Sequence, residues 1–520
     1  MSSFPWLTLL GVVPLVGSVV VVLLPKAKAL LAKQVALAFA FVTLGLTVVM
    51  ALQFQADSTS QFQFVEQYSW IPAFGISYAV GVDGIGLVLV ALATTLVPIV
   101  ILAGWRDAEN ERGSVKGYFA LILVLETLMI GVFGATDVFL FYVFFEAMLI
   151  PVYFMIGRYG GPQRSYAAVK FLLYSLVGGL FMLASLIGLY VVSAQMTGQG
   201  TFDYASLVGL DIDPFAQKLL FLGFFFAFAI KAPLWPFHTW LPDAAAQSKP
   251  GTSVLLIGVL DKVGTFGMLR YCLPIFPDAS SFYAPIVIGM ALIGIFYGAY
   301  VALGQNDMKR LFAYSSMSHF GFIALGIFVF TSIGQSGSVV YMVAHGLSTA
   351  ALFLTAGFLM QRNKNSALIS DYKGVNKVAP VLAGFFLMAS LSSLALPGLV
   401  SFVGEFMVLL GSFQRYMWVG AIATLGIVIT AAYVLRVYQK TMTGPTADGL
   451  TGMKDLGGRE ITALVPIAAL TIVLGLFPAP ILNVINPAVD RVMTTIGATD
   501  PAPTVPNASV PSASVEGNGQ

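Results

Sequence analysis

The sequence predicts an all-α polytopic membrane protein with fourteen transmembrane helices. Hydrophobic residues make up 58% of its 520 residues, charged residues make up only 10%, and the mean hydropathy is +0.88. A soluble globular protein carries about 25% charged residues, so this chain lacks the polar residues that would cover a soluble fold. Its apolar residues also recur in runs of about 20, the length at which a helix crosses the hydrocarbon core.

Fourteen apolar runs satisfy this length requirement. In chain order they are 4–24, 34–54, 84–105, 116–135, 137–157, 168–194, 216–247, 251–272, 284–304, 309–331, 335–360, 378–410, 416–440 and 461–483. The first run is too long for the core of a signal peptide, so we expect it to be retained. The seventh and twelfth runs are too long for one straight crossing and contain interior prolines, which predicts broken helices. Such breaks are tolerated only where protein or a water-filled cavity covers the backbone.

The distribution of basic residues supports this count. Twenty of the 26 lysines and arginines fall in alternate connections, and only four lie in the opposite connections and near the C-terminal end. The other two, Lys231 and Lys262, lie inside predicted spans. This asymmetry follows the positive-inside rule and predicts that both termini lie on the non-cytoplasmic side.

The spacing of the two predicted breaks indicates an internal repeat. They lie five spans apart, and this odd offset gives corresponding helices opposite orientations, as in transport folds built from inverted halves. We therefore expect two inverted five-helix repeats, 116–283 (spans 4–8) and 284–440 (spans 9–13). The remaining parts are three N-terminal spans (1–115), a cytoplasmic loop end with span 14 (441–490), and a Pro-, Ser- and Ala-rich tail expected to be disordered (491–520).

Four charged groups within the predicted spans are candidates for the chemistry. Glu146 lies in the fifth span, Lys231 before the first break, Lys262 in the eighth span and Glu405 after the second break. A charge at the bilayer centre costs at least ~3 kcal/mol, so each group must pair, face water or lose its charge. Lysine changes protonation state readily when it is buried. Lys231 and Lys262 are therefore expected to bind and release protons.

Three histidines, His238, His319 and His345, are candidates for relay or bridging roles. Serines and threonines accompany the last two in the sequence. With the four charged groups, these residues predict a proton path that lies in the plane of the membrane. Two structural interpretations stay open: an intramembrane histidine also serves as a simple hydrogen-bonding residue, and Glu146 paired with Lys231 would also act as a bridge between helices.

Other kinds of site have little support in the sequence. The single cysteine, Cys272, excludes a disulfide framework and an Fe–S cluster held by this chain alone. There is no GxGxxG, GxxxxGK[ST], CxxC or HExxH motif, so no cofactor or metal is expected here, although a haem between His319 and His345 is conceivable. A net charge of +2 gives no indication of a nucleic-acid partner.

Three stretches resemble a known family: "FFEAMLIP" (144–151), "FAIKAPLWPFHTWLPDA" (228–244) and "LPGLVSFVGEF" (396–406). The chain resembles the antiporter-like membrane subunits of bacterial respiratory complex I, the proton-translocating NADH:quinone oxidoreductase, over about residues 84–440. These subunits are also similar to subunits of multisubunit cation/proton antiporters. L- and N-type relatives usually carry a lysine after the second break, whereas the M-type (chain 4) relatives carry a glutamate, as this chain does at Glu405.

The resemblance implies a role for each charged candidate. Glu146 matches the glutamate that pairs with the broken-helix lysine, Lys231, while Lys262 matches the central lysine and Glu405 the terminal group. The implied activity is that of a translocase subunit that moves protons, with FMN, Fe–S clusters and quinone in partner subunits and no cofactor in this chain. The implied partners are L- and N-type neighbours, small membrane subunits and lipids of the bacterial cell membrane.

Two departures from the family pattern and two rival functions stay open. Ala245 stands where many relatives have a second histidine, and Asp261 stands where many have an apolar residue before the central lysine. These features and the tail are similar to actinobacterial, especially mycobacterial, relatives. The rivals are a subunit of a Mrp-type Na⁺/H⁺ antiporter and a structural membrane scaffold whose buried charges only hold neighbouring subunits.

Overall fold

The computed structural model describes residues 4–109 and 113–502, and most of them are helical. Within these residues, thirteen helices are long and apolar enough to cross a membrane, and they match thirteen of the fourteen predicted runs. These thirteen, together with four shorter helices, are in chain order α1 (Trp6–Leu23), α2 (Ala29–Gln53), α3 (Gly84–Ala103), α4 (Val115–Gly134), α5 (Val138–Tyr159), α6 (Arg164–Thr197), α7 (Pro214–Lys231), α8 (Trp240–Gln247), α9 (Pro250–Ile275), α10 (Pro277–Leu303), α11 (Met308–Phe328), α12 (Ser332–Gln361), α13 (Pro380–Ser393), α14 (Val400–Arg415), α15 (Met417–Met442), α16 (Gly458–Leu476) and α17 (Ala479–Thr495). The four shorter helices are α8, α13, α14 and α17.

Both predicted breaks are present. The seventh predicted run is divided into α7 and α8, and the twelfth into α13 and α14. Neither α13 nor α14 has the length of a full span by itself. The total of fourteen crossings and the inverted relation between the two repeats stay predictions.

The first break follows from two prolines that cannot donate a helical hydrogen bond, Pro233 and Pro236. Helix α7 ends at Lys231, and the next amides bond irregularly, with Leu234 N donating to Ala229 O at 2.9 Å. The carbonyl of Ile230 instead accepts from the indole Nε1 of Trp240, at 2.9 Å. A side chain on α8 therefore satisfies a backbone group that the break has released.

Replacing Trp240 by phenylalanine should destabilise the break. The substitution keeps most of the buried apolar volume but leaves the Ile230 carbonyl buried without its donor, a loss of about 1–3 kcal/mol. A lower midpoint of thermal unfolding of the purified complex would show this. Trp418→Phe, at a tryptophan that is 61% exposed, is the matched control, and an equal midpoint shift in both variants would contradict the assignment.

The second break has a different backbone. After α13 ends at Ser393, Ala395 and Gly398 have positive φ values of +57° and +95°. Glycine adopts this left-handed region without steric cost, and Pro397 lies between the two residues. The chain then restarts as α14, whose first turns carry Glu405 into the protein.

Helix α9 contains two stretches of π-helix, which the sequence analysis missed. They cover Leu256–Leu260 and Met268–Cys272 and flank the α-helical turn that contains Lys262. In the first stretch, Asp261 N donates to Leu256 O, five residues earlier, at 3.1 Å. Such bulges are frequent at functional sites, and this one ends two residues before Lys262.

A β-hairpin lies in the connection between α2 and α3. Its strands, β1 (Gln63–Ile71) and β2 (Ile76–Val82), pair antiparallel. The carboxylate of Glu66 accepts hydrogen bonds from the backbone N–H groups of Leu7 (2.7 Å) and Thr8 (3.2 Å). A side chain of the hairpin therefore caps the N-terminal turn of α1. A hydrophobicity scan over 20 residues cannot detect strands this short.

The C-terminal part also differs from the expected pattern. The last predicted run extends to 483, but α16 ends at Leu476 because Pro478 cannot continue the helix. A further helix, α17, follows and includes residues 491–495 of the predicted tail. Residues 503–520 of that tail lie outside the described part of the chain.

Three helices form the centre of the molecule. The apolar windows of α9 and α12 are entirely buried and that of α11 is almost entirely buried, whereas only about a third or less of the residues in the windows of α1, α2 and α16 are buried. The buried helices carry Lys262, His319 and His345. A helix surrounded by protein can hold polar groups that would be costly in lipid, so the fold places these candidates where they are tolerated.

Candidate functional site

Lys231 is the last residue of α7 and is completely buried at the first break. Its Nζ lies 4.7 Å from the ring centroid of Phe145 and 5.9 Å from that of Phe171. Within the described residues the ammonium group has no hydrogen-bond partner. Aromatic faces attract a cation, so the two rings stabilise the ammonium group of Lys231, although less strongly than a fixed ion pair would.

Glu146 lies on α5 where that helix is irregular, two residues before the interruption at Met148. Pro151 accounts for this irregularity because it cannot donate to the carbonyl of Ala147. The carboxylate interacts electrostatically with Lys231, yet the two groups form no direct salt bridge in residues 4–109 and 113–502. The structure thus brings the predicted partners near each other without locking them together.

Gly179 on α6 provides the space for the Glu146 carboxylate. A Cβ atom built at Gly179 would lie 1.7 Å from Glu146 Oε1 and 2.4 Å from Glu146 Cδ. These distances are far below van der Waals contact, so any larger residue at 179 must displace the carboxylate.

Gly179→Ala should therefore lower proton translocation by about ten- to a hundredfold, since a displacement of 1 Å at a reacting group can cost that much. The measurement is proton uptake or release per electron in the assembled complex. Gly289→Ala is the control, because nothing lies within 4 Å of a Cβ built there. Normal translocation by the Gly179 variant would contradict a role for the position of Glu146.

Lys262 is completely buried in α9 and makes two short hydrogen bonds. Its Nζ donates to Ile257 O at 2.5 Å and lies 2.6 Å from His345 Nδ1 on α12. The other ring nitrogen of His345, Nε2, lies 3.3 Å from Thr349 Oγ1. With Lys262 protonated, Nδ1 of His345 accepts and Nε2–H donates to the threonine. The central lysine and His345 therefore form one hydrogen-bonded unit.

A second unit joins His319 to Glu405 through Tyr341, a residue that the sequence analysis missed. His319 Nδ1 lies 2.6 Å from the Tyr341 hydroxyl, and that hydroxyl donates to Glu405 Oε2 at 2.6 Å. The tyrosine oxygen can therefore accept Nδ1–H from His319 while its own proton points to the glutamate. Tyr341 lies four residues before His345 on α12, and this helical spacing was the signal that could have revealed it.

The two units meet at the histidines. The ring centroids of His319 and His345 are 5.5 Å apart. His319 Nε2 also lies 3.2 Å from Ser315 Oγ and 3.3 Å from Ser393 Oγ. Four of the seven predicted site residues, Lys262, His345, His319 and Glu405, are thus brought into one buried series.

His238 lies apart from this series. It follows the first break, and its ring packs 5.2 Å from the ring of Tyr297 and 6.3 Å from that of Tyr314. Within the described residues its Nδ1 has no hydrogen-bond partner. The structure therefore places His238 against aromatic rings and does not hydrogen-bond it to the other candidates.

No group of three or more His, Cys, Asp or Glu residues that could hold a metal ion occurs in residues 4–109 and 113–502. A haem between His319 and His345 does not fit either. Both ring nitrogens of each histidine already bond to protein groups, so none is free to ligate iron.

A family model described as NADH:quinone oxidoreductase/Mrp antiporter, TM, matches residues 135–430, more than half of the chain. NADH-quinone oxidoreductase subunit M of Mycobacterium tuberculosis is 52% identical over 97% of this chain and 97% of its own length. The chain is an M-type member of this family. The M-type assignment that Glu405 indicated, and its mycobacterial likeness, are thereby confirmed.

Two solved structures share this fold. A chain of the respiratory complex I from Thermus thermophilus with bound NADH has a TM-score of 0.86 and 32% identity, covering 95% of this chain and 100% of its own. A chain of the Mrp complex from Dietzia sp. DQ12-45-1b has a TM-score of 0.84 over 96% of this chain and 99% of its own, at 22% identity. At that identity the Mrp likeness shows the fold alone.

Proposed function

We propose that this chain is the M-type proton-translocating membrane subunit of a bacterial NADH:quinone oxidoreductase. The observation that carries the proposal is the buried series of Lys262, His345, His319, Tyr341 and Glu405, which contains two hydrogen-bonded units with contacts of 2.6 Å. Groups that both donate and accept protons, held at such distances, are what proton transfer requires. The relatives named above favour this oxidoreductase over the Mrp-type alternative.

The proposed transfer begins at the first break. Glu146 stabilises the ammonium form of Lys231 by its negative charge, and weakening this interaction leaves a buried cation that is costly to keep. The proton then leaves Lys231 and reaches the neutral amine of Lys262, breaking one N–H bond and forming another. Glu146 acts here as the control on when Lys231 releases its proton.

The second part of the path runs through the hydrogen-bonded units. Lys262 transfers the proton to His345, and the proton passes between the rings to Nε2 of His319. As Nδ1–H of His319 moves to the Tyr341 oxygen, the tyrosine proton moves to Glu405, so each group gains one proton and gives one up. Glu405 is the terminal group, beside the second break, where the proton can leave.

The driving reaction lies outside this chain. We assign FMN, the Fe–S clusters and the quinone to partner subunits of the translocase, and L- and N-type subunits, small membrane subunits and lipids to the surroundings of this one. The location is the bacterial cell membrane, with both termini on the non-cytoplasmic side, as the distribution of basic residues favours. We assign His238 a bridging role at the first break.

The test is Lys231→Ala in the intact, assembled complex. We expect proton translocation to fall sharply while the complex still assembles, because the substitution removes a proton carrier and little packing. Normal electron transfer with an unchanged proton-to-electron ratio in the Lys231→Ala complex would contradict the proposal.

Two further measurements separate the rival functions. If the buried charges only hold a scaffold together, Glu146→Gln and Lys231→Met should reduce the amount of assembled complex and leave pumping per complex unaltered. If the chain serves a Mrp-type antiporter, it should copurify without Fe–S subunits and support sodium-dependent proton exchange.

A further inference from the structure

Asp261 is a buried carboxylate that lies outside the path proposed above. It precedes Lys262 in α9, it is completely buried, and neither of its carboxylate oxygens has a hydrogen-bond partner in the described residues. Buried polar groups are nearly always hydrogen-bonded, so an unpaired one requires an explanation. A carboxylate without hydrogen bonds is costly to bury unless opposite charges compensate it.

The packing of α9 places Asp261 on the side that faces the first break. Gly264, one turn further along, packs directly on the end of α7: a Cβ built there would lie 2.5 Å from Phe228 O and 2.6 Å from Ala232 N. Residues three apart on a helix share a face. Asp261 therefore points toward the helix end that carries Lys231.

Lys262 points in a different direction from the same turn. Gly258, four residues before it, approaches α12 so closely that a Cβ built at Gly346 would lie 2.8 Å from Gly258 O. That face also brings Lys262 Nζ to His345. The two adjacent residues thus turn toward two different neighbours, Asp261 toward α7 and Lys262 toward α12.

The charges around Asp261 agree with this placement. The charged groups that act on it are Lys262 and Lys231, and Asp261 acts in turn on both lysines. Lys231 likewise has no hydrogen-bond partner among the residues that the structure describes. Asp261 is therefore a buried carboxylate whose charge acts on two buried lysines.

From this juxtaposition we infer that Asp261 is the proton-carrying link between Lys231 and Lys262. This inference rests on the proposed function. The ammonium of Lys231 gives a proton to the Asp261 carboxylate, so that an N–H bond breaks and an O–H bond forms. The carboxylic acid then gives the proton to the neutral amine of Lys262 and returns to the carboxylate. No oxidant, reductant or further reactant is needed.

The experiment compares Asp261→Asn and Asp261→Ala with Asp261→Glu in the assembled complex. The first two cannot carry a proton at this position, whereas glutamate retains the carboxyl group. We expect the ratio of protons translocated per electron to fall in the first two and to be largely restored in the third. Glu126→Gln is the matched control, since Glu126 lies on α4, is also completely buried, and has no hydrogen-bond partner for its carboxylate oxygens within residues 4–109 and 113–502.

Each result has a definite consequence. If Lys231→Ala and Lys262→Met lose translocation while Asp261→Asn pumps normally, the link is wrong and the proposed function stands. If all of these variants pump normally, both fall. A reduced amount of complex with an unchanged proton-to-electron ratio would assign Asp261 a structural role and overturn the inference.

A spectroscopic measurement on the wild-type complex tests the inference even when the Asp261→Asn and Asp261→Ala variants fail to assemble. Infrared difference spectra of the wild-type complex labelled with ¹³C-aspartate should show a protonated aspartic acid that forms during turnover and is absent from Asp261→Glu. The lack of any aspartate signal in the carboxylic acid region would overturn the inference without a variant that removes the carboxyl group.

Discussion

Replacing Lys262 by methionine should abolish proton translocation through this chain. In the proposed path this lysine passes the proton to His345, and methionine keeps its length and apolar stem while removing the charge and the hydrogen bonds to Ile257 O and His345 Nδ1. A positioned acid–base group contributes about a hundredfold or more to a proton-transfer rate. Proton translocation in membrane vesicles, normalised to the amount of assembled complex, measures this loss.

A matched lysine distinguishes this effect from the general cost of altering a buried cation. Lys33 on α2 is also buried and contacts Glu109, far along the chain from the relay. Lys33→Met should leave the proton-to-electron ratio unchanged. Equal losses in the two variants would mean that buried lysines of this chain act on stability and not on proton transfer.

The second large effect is expected from Tyr341→Phe. The substitution removes the hydroxyl oxygen of Tyr341. In the unaltered chain this oxygen lies 2.6 Å from His319 Nδ1 and 2.6 Å from Glu405 Oε2. A hydrogen bond to a charged group contributes about 1.5–3 kcal/mol, and 1.36 kcal/mol corresponds to tenfold in rate. Translocation should therefore slow about ten- to a hundredfold, while the phenyl ring preserves the packing.

Tyr372→Phe is the control for this variant. Tyr372 is buried and its hydroxyl donates to Ser366 O at 2.6 Å, in the connection between α12 and α13. Its loss should lower thermal stability slightly and leave translocation unchanged. Rapid pumping by Tyr341→Phe would show that protons reach Glu405 by a route that bypasses this tyrosine.

Much of the fold could be predicted because burial in a membrane imposes a strong requirement on sequence. Every backbone group in lipid must be paired within a helix, so thirteen of the predicted runs appear as helices and the prolines at 233, 236 and 397 locate the two breaks. The hairpin at Gln63–Val82 and the π-helical turns of α9 were not foreseen. Short strands and backbone hydrogen-bond register leave little trace in a hydrophobicity average over 20 residues.

The candidate site was predictable in composition but not in arrangement. Glu146, Lys231, Lys262 and Glu405 were conspicuous because charges are rare in apolar runs. Nothing in the sequence showed that Gly179 makes room for a carboxylate. The sequence also did not show that the hydroxyl of Tyr341 hydrogen-bonds to both His319 and Glu405, because these contacts depend on three helices packing together.

The sequence by itself therefore determined which segments form long apolar helices, where two of the predicted spans break and which ionisable groups these segments carry. These properties follow from the preference of each residue for lipid or water, which is local and sums along the chain. Only the tertiary structure decided which groups meet, because the rotation of each helix about its axis is set by packing. That rotation turns Asp261 toward Lys231 and the neighbouring Lys262 toward His345.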